Sequence, residues 1–138
     1  MAAERPMMTG AKLAGDTKER RATNAAAIRV IDDEHLERIT LGDRHLVREV
    51  LQIFVRQSAM MLERISGGQP GALGTAAHTL IGSARGIGAW RVAGAAERLE
   101  RASRESGDEG IGEAIADLKA ASLEATAAIG ARLAEPSH

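Results

Sequence analysis

The sequence predicts an all-α protein: an antiparallel up-down four-helix bundle with a short extra helix on its N-terminal side. Three observations predict it. Apolar residues recur in pairs every three to four positions over long segments, the spacing that gathers them on one helix face. Nowhere do they alternate with polar residues as in a half-buried strand. The long segments are joined by short connections, which makes neighbouring helices run in opposite senses. With one Phe, one Trp and no Tyr, the core has to be aliphatic and alanine-rich, so the helices can pack closely.

Residues 1–27 have no sustained apolar period and are interrupted by Pro6, Gly10 and Gly15, which reads as a flexible tail before a single domain at 28–138. In "VIDDEHLERITLGD", Asp32 or Asp33 is placed to cap a brief helix that ends near Gly42. Asp43 can cap a long helix to about Ile65, with Leu46, Val47, Val50, Leu51, Phe54, Val55, Met61, Leu62 and Ile65 as its apolar stripe. "SGGQPG", 66–71, breaks the chain. The next helix spans about Gly71 to Arg85, and a turn at "RGIG" leads to another from about Ala89 to Ser103, with Val92, Ala96 and Leu99 inward. After "ESGDEG" the last helix runs from about Ile111 to Leu133 and carries Ile111, Ile115, Leu118, Ala125, Ile129 and Leu133 on one side.

Composition removes several function classes. The net charge of -1 and the scattered basic residues give no footprint for nucleic acid or an anionic membrane surface. Without cysteine there are no disulfides or thiolate metal sites, as expected in a reducing cytoplasm. Apolar runs fall far short of the roughly 20 residues a membrane span needs, and the N-terminal stretch has no signal-peptide core. The opening Met1 and short tail point to a stand-alone protein.

One segment carries chemistry. At about 100° per residue, "AAHTLIGSARGIGA" places Leu73, Ala76, Ala77, Leu80, Ala84 and Ile87 in one inward arc. His78, Gly82 and Arg85 lie on the opposite side with Gly71, Gly74 and Thr75, and Ile81 sits at the margin. His78 therefore projects to solvent from mid-helix among glycines and threonine. Each mid-helix glycine costs about 0.5–1 kcal/mol relative to alanine, a cost that makes sense if another macromolecule must approach the imidazole. An exposed imidazole is a competent nucleophile near neutrality, and Arg85 on the same side could pair with a phosphoryl group. The site can receive and pass on such a group but lacks an oxyanion hole, an acid–base partner and a metal. Bland readings stand beside these: Arg85 as a cation at a helix C-terminus, Gly82 as a close helix contact, and Trp90 as a lid over the bundle end rather than an anchor in a partner surface. Gly88 reads as a turn residue. His35 and His45 read as solvated, His138 is terminal, and none has metal-site spacing. "RGIGAWR" has no preceding strand and fails as a nucleotide loop.

"HTLIGSARGIGAWRVAGAAERLE", 78–100, resembles the signature of the histidine phosphotransfer (HPt) domains of bacterial phosphorelays. His78, Leu80, Gly82, Ser83, Ala84, Gly88, Ala89, Val92, Ala96, Leu99 and Glu100 match in order. "LERITLGDRHLVREVLQIFVRQSAMMLERI" is similar to the family's Gly-Asp turn and following long helix. The resemblance covers about residues 30 to 133. It implies a monomeric, cytoplasmic carrier, not an enzyme, whose His78 shuttles phosphoryl groups between receiver aspartates. Implied partners are response-regulator receiver domains and/or a hybrid histidine kinase, without nucleic acid or membrane. No cofactor or metal is expected in this chain, since the divalent metal belongs to the receiver. Arg85 and Gly82 would support the phosphate or partner, and Gly74, Thr75, Ile81 and Trp90 would border the docking face. One departure matters: the family commonly has lysine three residues after the histidine, where this chain has Ile81. That departure favours a rival, a helical adaptor that binds a receiver or kinase through the same face and is never phosphorylated. A kinase dimerisation domain is disfavoured, because the acid-then-arginine pattern beside its histidine is absent after His78.

Overall fold

A computed structural model describes residues 30–68, 70–105 and 110–135. Among them are five helices and no strand: α1 (Asp33–Thr40), α2 (Arg44–Ser66), α3 (Pro70–Ile87), α4 (Trp90–Arg104) and α5 (Ile111–Ala134). The segment read as a tail, 1–27, lies outside the described residues, as does His138.

Local chemistry sets the helix starts and stops. The Asp32 carboxylate accepts from the His35 N–H at 3.1 Å, and that of Asp43 accepts from the Leu46 N–H at 3.1 Å, so the first two helices begin at side-chain caps. Helix α1 ends at Leu41 in the left-handed region (φ 54), and the following Gly42 N–H returns to the Glu37 carbonyl at 3.0 Å. Gly88 makes the turn between α3 and α4 at φ 81. A Cβ there would stand 2.8 Å from the Cβ of Asp32, so both conformation and space require glycine.

The core is aliphatic and alanine-rich, with Phe54 its one aromatic side chain among the described residues. Helix α2 contributes Leu51, Phe54, Met61 and Ile65, α4 contributes Val92, Ala93, Ala95, Ala96 and Leu99, and α5 contributes Leu118, Ala125 and Ile129. Leu46, read as part of the buried stripe of α2, is exposed. It sits in the first turn, beside the α1–α2 corner where Ile39 and Leu41 are exposed as well.

Helix α3 lies between α2 and α4. Ser83 donates to Gln57 on α2 at 3.1 Å, and Gly74 lies against Ser103 on α4. Covered on two flanks, α3 buries a wider arc than its apolar pattern suggests: Leu73, Ala76, Ala77, Leu80, Ile81, Ala84 and Ile87. Helix α1 closes one end of this helical bundle. The Asp32 N–H donates to the Gly88 carbonyl at 2.9 Å, and the Trp90 indole N–H donates to the Asp32 carboxylate at 2.8 Å. The His35 ring meets the Gly86 carbonyl through Nε2 at 3.1 Å and packs edge-on against Trp90, 5.1 Å between centroids. On the other side Asp33 pairs with Arg132, and Arg48 donates to the Leu133 carbonyl at 2.9 Å. His35, read as solvated, is thus half-buried and tied to the end of α3, because α1 folds back over the α3–α4 turn.

Candidate functional site

The uncovered stripe of α3 consists of Gly71, Thr75, His78, Thr79, Gly82 and Gly86, all exposed. His78 stands at its centre with 75% of its side chain exposed. Its Nδ1 lies 2.9 Å from Oε2 of Glu100 on α4, and the other Glu100 oxygen takes a 3.4 Å contact from Arg104 one turn on. A carboxylate only accepts, so Nδ1 carries the proton in this pair, and in the neutral ring the lone pair is then on Nε2. The ring is held at one nitrogen and open at the other.

Gly82, one turn after His78, has nothing within 4 Å of where a Cβ would lie. The alternative of a close helix contact therefore does not apply to it. Arg85 is exposed and ion-paired with Glu97 of α4. Thr75 is exposed and turns its hydroxyl to the Gly71 carbonyl.

Two residues placed on the docking face lie elsewhere. Ile81 is only 6% exposed and belongs to the core. Gly74 is half-buried, and a Cβ on it would meet the Ser103 hydroxyl at 3.1 Å. The physical reason is common to both: their side of α3 faces α4, which covers it, so the open face is rotated toward α2. Trp90 is 41% exposed, but its indole nitrogen is engaged with Asp32, so it closes the bundle end at the same time.

Sequence reading missed three features of the surroundings. Glu97 and Glu100 lie in the acid-and-arginine run "AERLERASRES", which reads as a solvated helix face, yet both are half-buried and paired with residues of α3. Both act across a helix–helix contact, which no periodicity within one helix reveals. On the other flank α2 carries the exposed apolar side chains Ile53 and Met60, with Gln57 between them bonded to Ser83. Their seven-residue spacing was the available signal.

Among the described residues there is no group of three or more His, Cys, Asp or Glu side chains able to hold a metal, and no helix long and apolar enough to cross a membrane. No curated protein and no solved structure matches the chain. A family model described as the Hpt domain matches residues 49–129, which include His78, Gly82, Glu97 and Glu100. With more than half its length so matched, the chain belongs to the Hpt domain family, whose modules carry phosphoryl groups on histidine in phosphorelays and work with receiver domains or kinases rather than as catalysts by themselves.

Proposed function

We propose that this chain is a histidine phosphotransfer protein in which His78 takes a phosphoryl group from a receiver-domain aspartate and passes it to a second receiver. The observation that carries the reading is the polarised imidazole: Nδ1–H donates to Glu100 at 2.9 Å while Nε2 faces solvent on a stripe of glycines and threonines. The Nε2 lone pair attacks the phosphorus of the aspartyl phosphate, a P–N bond forms, and the P–O bond to the aspartate breaks. The freed carboxylate stays on the receiver. The proton stays on Nδ1, and the positive charge that develops on the ring is stabilised by Glu100. Attack by a second receiver's aspartate reverses the step. The divalent metal and most of the transition-state stabilisation come from the receiver.

The domain is 28–138, an up-down antiparallel four-helix bundle of α2 to α5 with α1 as the extra helix. It is a monomeric, cytoplasmic, bacterial-type module with no cofactor of its own. The receiver docks on Thr75, His78 and Gly82, with the exposed Ile53 and Met60 of α2 as the apolar flank and Trp90 at the far end. Gly82 provides clearance, since any side chain there would stand beside the attacking nitrogen.

A second reading is favoured by buried Ile81, which leaves no cation three residues after the histidine. On that reading the chain is an adaptor that binds a receiver or kinase through the same face without being phosphorylated. Receivers charged with acetyl phosphate and magnesium, mixed with wild type and His78→Gln, separate the two. Carrier function predicts acid-labile, alkali-stable label on wild type and none on His78→Gln. The adaptor predicts equal binding by both proteins and label on neither.

A further inference from the structure

Transfer to His78 leaves a dianionic phosphoryl group on a solvent-facing nitrogen, and Ile81, three residues on, is buried and uncharged. Two arginines are engaged with carboxylates of α4 on this side: Arg104 with Glu100, which also holds the ring, and Arg85 with Glu97. We propose that Arg85 and Glu97 form a counter-ion switch, in which Glu97 holds Arg85 while His78 is unmodified and Arg85 moves to the phosphoryl group once His78 carries it. The proposal rests on the phosphotransfer reading of His78 and adds how the charge on that histidine is balanced.

Geometry supplies the reach. Seven residues separate His78 from Arg85, nearly two full turns, so the two side chains leave α3 in almost the same direction about 10.5 Å apart along the axis. The gap is smaller than that figure. Gly74 lies beside Ser103, and His78 bonds to Glu100, so α3 and α4 run in opposite senses. Counting six residues from the Gly74–Ser103 contact along each helix puts Glu97 level with Leu80. Arg85 leans toward His78 and Glu97 leans the other way, each toward the N-terminus of its own helix, so the pair meets between their two levels, on the His78 side of the Arg85 backbone. Glu97 and Glu100 sit three residues apart on α4, with Cβ atoms about 5–6 Å from each other. The guanidinium and the imidazole are thus anchored on adjacent carboxylates. Between them on α3 is Gly82, where a Cβ would find nothing within 4 Å.

Charge supplies the direction. The Arg85–Glu97 pair is open to water, with side chains 56% and 38% exposed, and such pairs are weak. A phosphoryl dianion can accept the guanidinium fork with two oxygens as a carboxylate does, but with twice the charge, so it outcompetes a single exposed carboxylate. Glu97 opposes the dianion by its own charge, so the exchange relieves a repulsion as it forms a bond. An arginine seven residues after the histidine then does what the uncharged Ile81 does not.

The test uses the full chain, with His78 phosphorylated by a charged receiver and then separated from it, and follows the ³¹P resonance against pH. Four proteins are compared: wild type, Arg85→Gln, Glu97→Gln and the double variant. A bound guanidinium favours the dianion, so Arg85→Gln should raise the titration midpoint by about 1 pH unit, the lower end for an opposite charge in contact because the site is exposed. Glu97→Gln should lower the midpoint, and this effect should shrink to the direct charge repulsion alone once residue 85 is Gln. An Arg85→Gln midpoint equal to wild type overturns the switch and leaves phosphotransfer standing. An equal effect of Glu97→Gln on both backgrounds also overturns it, since Glu97 would then act as a plain charge. Absence of label on wild-type His78 from every receiver overturns the phosphotransfer reading and the switch together.

Discussion

A histidine on a helix surface rotates and exchanges tautomers freely unless one ring nitrogen is held. Here Glu100 holds Nδ1 at 2.9 Å, and being only 23% exposed it is itself fixed better than the ring it orients. Charge-assisted hydrogen bonds contribute about 1.5–3 kcal/mol, and solvent around His78 argues for the lower end. Glu100→Ala should therefore slow phosphoryl uptake about tenfold with the helical circular-dichroism spectrum unchanged. Glu100→Gln, whose amide oxygen still accepts from Nδ1–H, should fall between the two in a quenched time course. Equal rates for wild type and Glu100→Ala would remove Glu100 from the account. At this scale the histidine was legible in the sequence, because glycines on an exposed helix face are visible in one dimension. Its partner was not, since Glu100 lies 22 residues away on another helix.

Helices α3 and α4 are joined through a turn that leaves almost no freedom. Gly88 has φ 81 and touches Asp32, whose backbone N–H donates to the Gly88 carbonyl and whose carboxylate accepts from Trp90. Gly88→Ala places a side chain in the left-handed region, about 1 kcal/mol or more by itself, and drives a methyl against α1. The expected loss in urea unfolding is about 2–4 kcal/mol, followed by the fluorescence of Trp90, the single tryptophan. A loss under about 1 kcal/mol would mean that α1 does not rest on this turn. Gly88 was read as a turn residue from sequence, and the helices fell within a few residues of their expected ends because Asp43, Gly42 and Gly88 carry local signals. What one helix's pattern did not show was how far α4 covers α3. Ile81 was assigned to the margin and Gly74 to the open face, and both are covered from that side.

Across the whole molecule, α1 ties the chain's first described segment to the end of the helical bundle through Asp32. The Trp90 indole N–H and then the His35 backbone N–H hold the Asp32 carboxyl below its ordinary 3.8, against a smaller opposing effect of burial. A carboxyl lowered in the folded state stabilises fully above its unfolded value, and that contribution disappears as pH falls through the folded value. The gap in thermal midpoint between wild type and Asp32→Ala should therefore be open at pH 6 and narrow steadily below about pH 4. A gap independent of pH would assign the effect to packing alone. The all-helical class was evident in the sequence at this scale too, from the 3.6-residue period and the absence of alternation. The seating of α1 was not, because the contacts of His35 and Trp90 join residues more than 50 positions apart. The central claim is that His78 is a station through which phosphoryl groups pass. The most direct measurement charges one receiver with labelled phosphate, removes the free donor, then adds this chain and a second receiver. The account predicts label on the second receiver with wild type and none with His78→Gln. Equal label on the second receiver with both proteins would contradict it.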